Sequence, residues 1–307
     1  LENQGWIEAR PQSGYYVRRT TPARPPEPQT TQPPPGSNNV AVSDLIRQAF
    51  HSASLSHMIQ MGAAIGAPET FPDKQLRRAI STVMRDGEGV HGYDFGAGYL
   101  PLRVQIAQHA MSAGCTLSPD DIIVTTGCTE AINLCLRAVT KPGDTVVLES
   151  PTYYSVLQII ESLGLRALEL PTNPREGISL DALEYVLEHD NVAACLLMPS
   201  FQNPLGHCMP DANKQRLVKM LRAREIPLIE DDVWGDTAFA STRPHAAKSC
   251  DDDGWVLYCS SFSKTVAPGY RIGWVAPGRW KKQVEYLKLV SSCSNASLPS
   301  RILAEFL

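Results

Sequence analysis

Two hydrophobic rhythms divide the chain. Over residues 1–19 apolar and polar side chains alternate on either side of a Pro11-Gln12-Ser13-Gly14 turn, which predicts a two-stranded hairpin with Arg10, Arg18 and Arg19 on exposed positions. From 121 to 274 short apolar or β-branched runs at 145–148, 193–198 and 227–229 take turns with stretches of helical period at 128–136, 153–163 and 213–223. Apolar strands separated by helices call for a mostly parallel sheet with helices on both faces, a doubly wound α/β fold. A long amphipathic helix is predicted to begin over 278–290.

Between the two rhythms lies a segment of different composition. Pro22, Pro25, Pro26, Pro28 and Pro33-Pro34-Pro35 are separated by Gln, Thr and Ser. Such a stretch buries too little apolar surface to fold and is expected to be an extended, polyproline-II-like spacer. The predicted organisation is therefore a hairpin module over 1–19, a linker over 20–44 and an α/β domain over 45–307.

The 307 residues are 43% hydrophobic with a net charge of −4, enough for a substantial core. No apolar run is long enough to span a membrane, and no signal-length apolar segment lies near residue 1, so a cytoplasmic globular protein is expected. Negative charge argues against a body coated for nucleic acid; DNA affinity would be local to the amino-terminal module. The eight cysteines are scattered without a C-x-x-C pair, as reduced thiols are, which gives no sign of a disulfide framework or a metal site.

Candidate chemistry concentrates at strand ends. Ser260-Ser261-Phe262-Ser263-Lys264-Thr265-Val266-Ala267-Pro268-Gly269-Tyr270-Arg271 sets one lysine among hydroxyls and an arginine between two apolar runs. An amine attacks a carbonyl only when unprotonated, so such a lysine needs a desolvated or cationic neighbourhood; Arg271 could meet that need and bind a phosphate. The run Asp121-Ile122-Ile123-Val124-Thr125-Thr126-Gly127 leads into a helix starting at Cys128-Thr129, a junction that points free N–H groups at an anion. Pro151-Thr152-Tyr153-Tyr154, Ser200-Phe201-Gln202-Asn203-Pro204 and the acidic strand end Glu230-Asp231-Asp232 follow further apolar runs. In a doubly wound sheet, ligands sit outside the carboxyl ends of such strands.

Taken together these segments resemble the fold-type I pyridoxal phosphate (PLP) enzymes of the aspartate aminotransferase superfamily. The resemblance implies PLP as cofactor, with Lys264 carrying it, Asp231 on the pyridine nitrogen and Asn203 on the phenolic oxygen. It implies Tyr153 stacked on the ring, and Cys128, Thr129, Ser261, Ser263 and Arg271 around the phosphate. His91-Gly92-Tyr93-Asp94-Phe95-Gly96 resembles the segment in which a tyrosine reaches the partner subunit's phosphate, so Tyr93 implies a homodimer with shared sites. One departure stands out: where many relatives carry a tyrosine shortly after the aspartate, this chain has Val233 and Trp234. An indole N–H donates a hydrogen bond but does no acid–base work.

The hairpin is similar to the wing of a GntR-type winged helix-turn-helix, which would assign Arg10, Arg18 and Arg19 to DNA. Hairpin, proline-rich tether and aminotransferase-like domain in this order resemble the MocR branch of GntR-type regulators. That resemblance implies that the recognition helix and the small carboxy-terminal domain, with its substrate-clamping arginine, lie outside this sequence. Three readings follow: a PLP-bearing regulator that senses an amino acid or PLP, a working aminotransferase, or an inert PLP-binding scaffold. Lys264 with Asp231 argues against the last, and the hairpin and tether favour the first.

Overall fold

A computed structural model of the chain describes residues 1–4, 6–18, 26–53, 64 and 66–307. Arg19 and the first linker residues, Pro22 and Pro25 among them, lie outside the described residues. Elements run β1 (Ile7–Arg10), β2 (Gly14–Val17), β3 (Asn38–Asn39), α1 (Ser43–Ala53), α2 (Asp73–Asp86), β4 (Asp94–Phe95) and α3 (Leu100–Ala110). There follow β5 (Ile123–Thr125), α4 (Cys128–Val139), β6 (Thr145–Ser150), α5 (Tyr154–Ser162), β7 (Arg166–Asn173), β8 (Gly177–Ile178), α6 (Leu180–His189), β9 (Val192–Leu197) and α7 (Asp211–Arg222). The last are β10 (Leu228–Asp231), β11 (Val256–Ser261), β12 (Gly273–Ala276), α8 (Lys281–Ser292), β13 (Ser294–Asn295) and α9 (Ser297–Phe306).

The main sheet has the order β3-β7-β6-β9-β10-β11-β12-β5, with β8 also on β7. Pairs from β7 through β11 are parallel, while β12 runs against both β11 and β5. This is the predicted mostly parallel, doubly wound α/β sheet. All six residues of β11 are buried, as a strand covered on both faces requires. On one face Leu148, Ile229, Leu257 and Val275 pack against α4, α5 and α8; on the other Val147, Cys195 and Leu228 meet α6 and α7, and Val124 and Trp274 meet α2, α3 and α9.

β1 and β2 pair antiparallel, Ile7 opposite Val17 and Arg10 opposite Gly14. The turn places Gln12 and Gly14 at φ of 61° and 101°, a geometry that glycine adopts without steric cost. Glu8 sits between Arg10 at 3.6 Å and Arg18 at 3.5 Å, and the Arg10 guanidinium covers the Tyr16 ring. Trp6, Tyr15, Tyr16 and Val17 are exposed.

The described part of the linker does more than space. Glu27 pairs with Arg175, Thr31 bonds to β6 and β7, and Asn38–Asn39 adds a short antiparallel strand to β7. Hydroxyls and amides between the prolines thus satisfy the open edge of the sheet, which would otherwise be a template for unwanted pairing. Composition reports only that this segment forms no core of its own.

Candidate functional site

Strands β6, β9, β10 and β11 end on one side of the sheet, where the amino end of α4 also arrives, and between them they enclose a cavity. Cys128, Thr129, Tyr153, Asn203, Asp231, Ser261, Ser263, Lys264 and Arg271 all line it, so every cofactor residue expected from sequence except Tyr93 is brought together. Tyr93 stands 73% exposed, stacked on Phe95 at 5.2 Å, on a loop that does not border this cavity. Arg10 and Arg18 belong to the hairpin.

The Asp231 carboxylate forms the floor. Oδ1 accepts the Val233 N–H at 3.1 Å and the Cys128 thiol at 3.4 Å. Burial pushes its carboxyl up to about 6 from an ordinary 3.8, opposed by those two donors and aided by the nearby Asp232 and Glu149 charges.

Lys264 follows β11 and lines the same cavity. Its Nζ donates to the Ala64 carbonyl at 2.9 Å and lies 4.9 Å from the Trp234 ring centre. Burial lowers the amine below the usual lysine range and Arg271 adds to this, while Asp231 opposes it. The sequence-predicted need for a desolvated, cationic surrounding is met by both means.

Close backbone packing builds the anion end. No side chain caps α4, leaving its first N–H groups to the cavity rim. Arg271 donates to Ser263 Oγ at 3.4 Å and to the Thr126 carbonyl at 3.3 Å. Gly127 stands at φ 80°, a conformation that residues with a side chain rarely adopt, and the Arg271 guanidinium lies against it. Gly273 lets β12 touch the same turn: a Cβ there would come within 2.7 Å of the Cys128 nitrogen and closer still to Gly127.

Tyr153 sits at the amino end of α5 with its ring 4.6 Å from Tyr154; burial raises its hydroxyl, which stays protonated. The Asn203 side-chain amide makes no hydrogen bond to the described residues and is free for a ligand, while its own N–H rests on Met198 Sδ at 3.1 Å.

Two clusters centred on the buried carboxylates Asp232 and Glu149 escaped the sequence reading. Asp232 is held by Arg243 and by the Tyr258 hydroxyl, and Arg243 also reaches Asp236, which bonds His109. This network anchors the 232–237 turn carrying Val233 and Trp234. Glu149, at the end of β6, accepts the Met198 N–H at 2.9 Å and lies 3.2 Å from His207 Nε2, off the hydrogen-bonding axis; burial raises its carboxyl. Glu149 carried a usable signal, since it closes an apolar strand as Asp231 does. The members of the Arg243 network are scattered between His109 and Tyr258 and gave none.

Residues 58–306 match the sequence profile of aminotransferase class I and II. The chain belongs to this family. Similar proteins include two that are named as uncharacterized HTH-type transcriptional regulators of Escherichia coli K12, YdcR at 39% identity and YjiR at 38%, both matched along all of this chain. The chain covers 65% of the length of each. Among solved structures, LysN, the alpha-aminoadipate aminotransferase of Thermus thermophilus in complex with N-(5'-phosphopyridoxyl)-L-leucine, is 29% identical with a TM-score of 0.73, over 79% of this chain and 62% of that one. The class I and II match and the regulator relatives support the MocR-like resemblance, and the structural neighbour shares the α/β fold. No helix among the described residues is long and apolar enough to cross a membrane.

Proposed function

We propose that this chain is the PLP-binding, effector-sensing part of a cytoplasmic MocR-like transcription regulator. The observation that carries the reading is one chain that joins an exposed hairpin to a domain whose cavity is lined by both Lys264 and Asp231. A metabolic transaminase has no use for the hairpin, and the regulator names of the relatives agree with its presence. Arg10, Arg18 and Arg19 would then meet the DNA backbone as part of a wing, with base reading left to a recognition helix.

The cavity fits PLP by its donor set. An amine of lowered basicity faces it, a helix amino end and a guanidinium offer an anion site, and a buried carboxylate has one oxygen unclaimed. Lys264 would hold the aldehyde carbon; Cys128, Thr129, Ser261, Ser263 and Arg271 the phosphate; Asn203 the phenolic oxygen; Tyr153 one ring face. Bound PLP supplies an electron sink for the α-carbon of an amino acid. Asp231 keeps the ring nitrogen protonated, and Lys264 moves the proton at the α-carbon, since Trp234 has no acid–base capacity. The exposed Tyr93 would reach a partner subunit's phosphate in a homodimer.

A second reading, an active aminotransferase on an amino acid and a 2-oxo acid, is favoured by the intact Lys264–Asp231 pair. A gel shift with a chain that includes the upstream helix-turn-helix segment, beside a coupled transaminase assay, decides between them. A promoter shift that responds to PLP or an amino acid supports the regulator; brisk turnover without a shift overturns it. Borohydride should fix a pyridoxyl group to the wild type but not to Lys264→Ala.

A further inference from the structure

We propose that the Cys128 side chain is a positioning residue for Asp231, so that the first residue of α4 serves both ends of the cofactor site. The proposal rests on the PLP reading above and adds a role for a thiol that the family resemblance assigns only to the phosphate end. Its backbone N–H belongs to the anion-binding turn, while its Sγ points to the opposite end and donates to Asp231 Oδ1 at 3.4 Å. The Val233 N–H donates to the same oxygen at 3.1 Å. Among the described residues nothing donates to Oδ2, and Asp231 borders the cavity. A carboxylate fixed through one oxygen by two donors from different elements keeps its plane and presents the other oxygen in one direction. An arriving ring N–H needs that arrangement for a short, charge-assisted bond.

The thiol is suited to the task by its surroundings. Cys128 is 8% exposed, packed in the cluster that includes Ala131, Cys135 and Cys259, so rotation away from Asp231 finds no water to bond. Burial and the adjacent carboxylate push the thiol well above its ordinary range, which keeps it a donor and not a competing anion. Gly273 and Gly127 hold the α4 turn close to β12, and this sets the reach of Sγ to the end of β10.

The test uses the chain as described, with and without PLP. Infrared difference spectra of the PLP-free protein, wild type minus Cys128→Ala, isolate one S–H band; it should lie at the lowered frequency of a hydrogen-bonded thiol and move up in Asp231→Ala. That readout holds whether or not the PLP reading does. With PLP, Cys128→Ala should raise the dissociation constant by about three- to tenfold, the range of one lost bond to a charged group weakened by sulfur. Cys128→Ser should stay near wild type, and Cys128→Ala should add nothing in an Asp231→Ala background. An S–H band unmoved by Asp231→Ala overturns the proposal, as does an equal Cys128→Ala effect with and without Asp231. Wild type that fails to take up PLP while the band shifts as expected would sink the PLP reading and leave the thiol–carboxylate bond standing.

Discussion

The Thr31 hydroxyl donates to the Ser150 carbonyl at 2.6 Å and at the same time accepts the Thr172 N–H at 2.9 Å. Ser150 ends β6, three residues before Tyr153, so the linker is bonded to the strand that delivers the aromatic wall of the cavity. Thr31→Val keeps the shape and removes both bonds, leaving the Thr172 N–H unpaired. The loss is expected to be about 1–3 kcal/mol, confined to the linker. Amide exchange should quicken over residues 30–39 while α4 is unaffected; unchanged exchange there would show that the linker is held by other contacts.

Asp231 couples the site to stability. Its carboxyl is raised to about 6 in the fold, so the folded chain binds this proton more tightly than the unfolded chain. Ionisation therefore weakens the PLP-free fold as pH rises from about 4 to about 6, by about 2–3 kcal/mol, and the deficit is fully present above that window. Asp231→Asn should be more stable than wild type at about pH 8 by roughly 1–2 kcal/mol, with the difference fading below about pH 4. Urea unfolding across that range, without PLP, checks the sign; a variant less stable at high pH would refute the assignment.

Much of this site was legible in the sequence because a doubly wound sheet gathers its strand ends. Lys264, Asp231, Asn203 and Tyr153 each follow an apolar run, and topology alone brings such residues together. What surrounds them was not legible. Asp232, Arg243 and Tyr258 meet through side chains whose sequence positions share no period, and nothing local marks Arg243 as buried. The linker's docking likewise depends on where β7 ends up, which proline content does not encode. Tyr93 stands exposed on a loop that does not border the cavity, and its motif says nothing of what would cover it.

The Arg243 network should be costly to break and cheap to replace. Arg243→Ala leaves the Asp232 carboxylate buried without its cation, and such removals cost about 3–5 kcal/mol. The double variant Arg243→Met with Asp232→Asn removes both charges together and should recover much of that loss. Chemical denaturation of the three proteins measures it; equal losses in single and double variants would mean that the pair is not energetically linked.

Two glycines that follow Lys264 in the chain provide a matched test of how the anion end is built. Gly273 lies in β12 with no room beside it: an added Cβ would come within 2.7 Å of the Cys128 nitrogen and closer to the Gly127 backbone, and neither is a flexible side-chain end. Gly269 has nothing within 4 Å of the same hypothetical atom and no positive φ. Gly273→Ala must therefore push the α4 turn away from β12, at a cost of about 1–3 kcal/mol for an overpacked site. The displaced turn carries the first N–H groups of α4, and inorganic phosphate or PLP should bind more weakly as a result. Gly269→Ala should unfold like wild type and keep its anion affinity. Thermal unfolding and a phosphate titration on both variants decide the matter: equal behaviour of the two alanines would show that the α4 turn does not depend on its contact with β12.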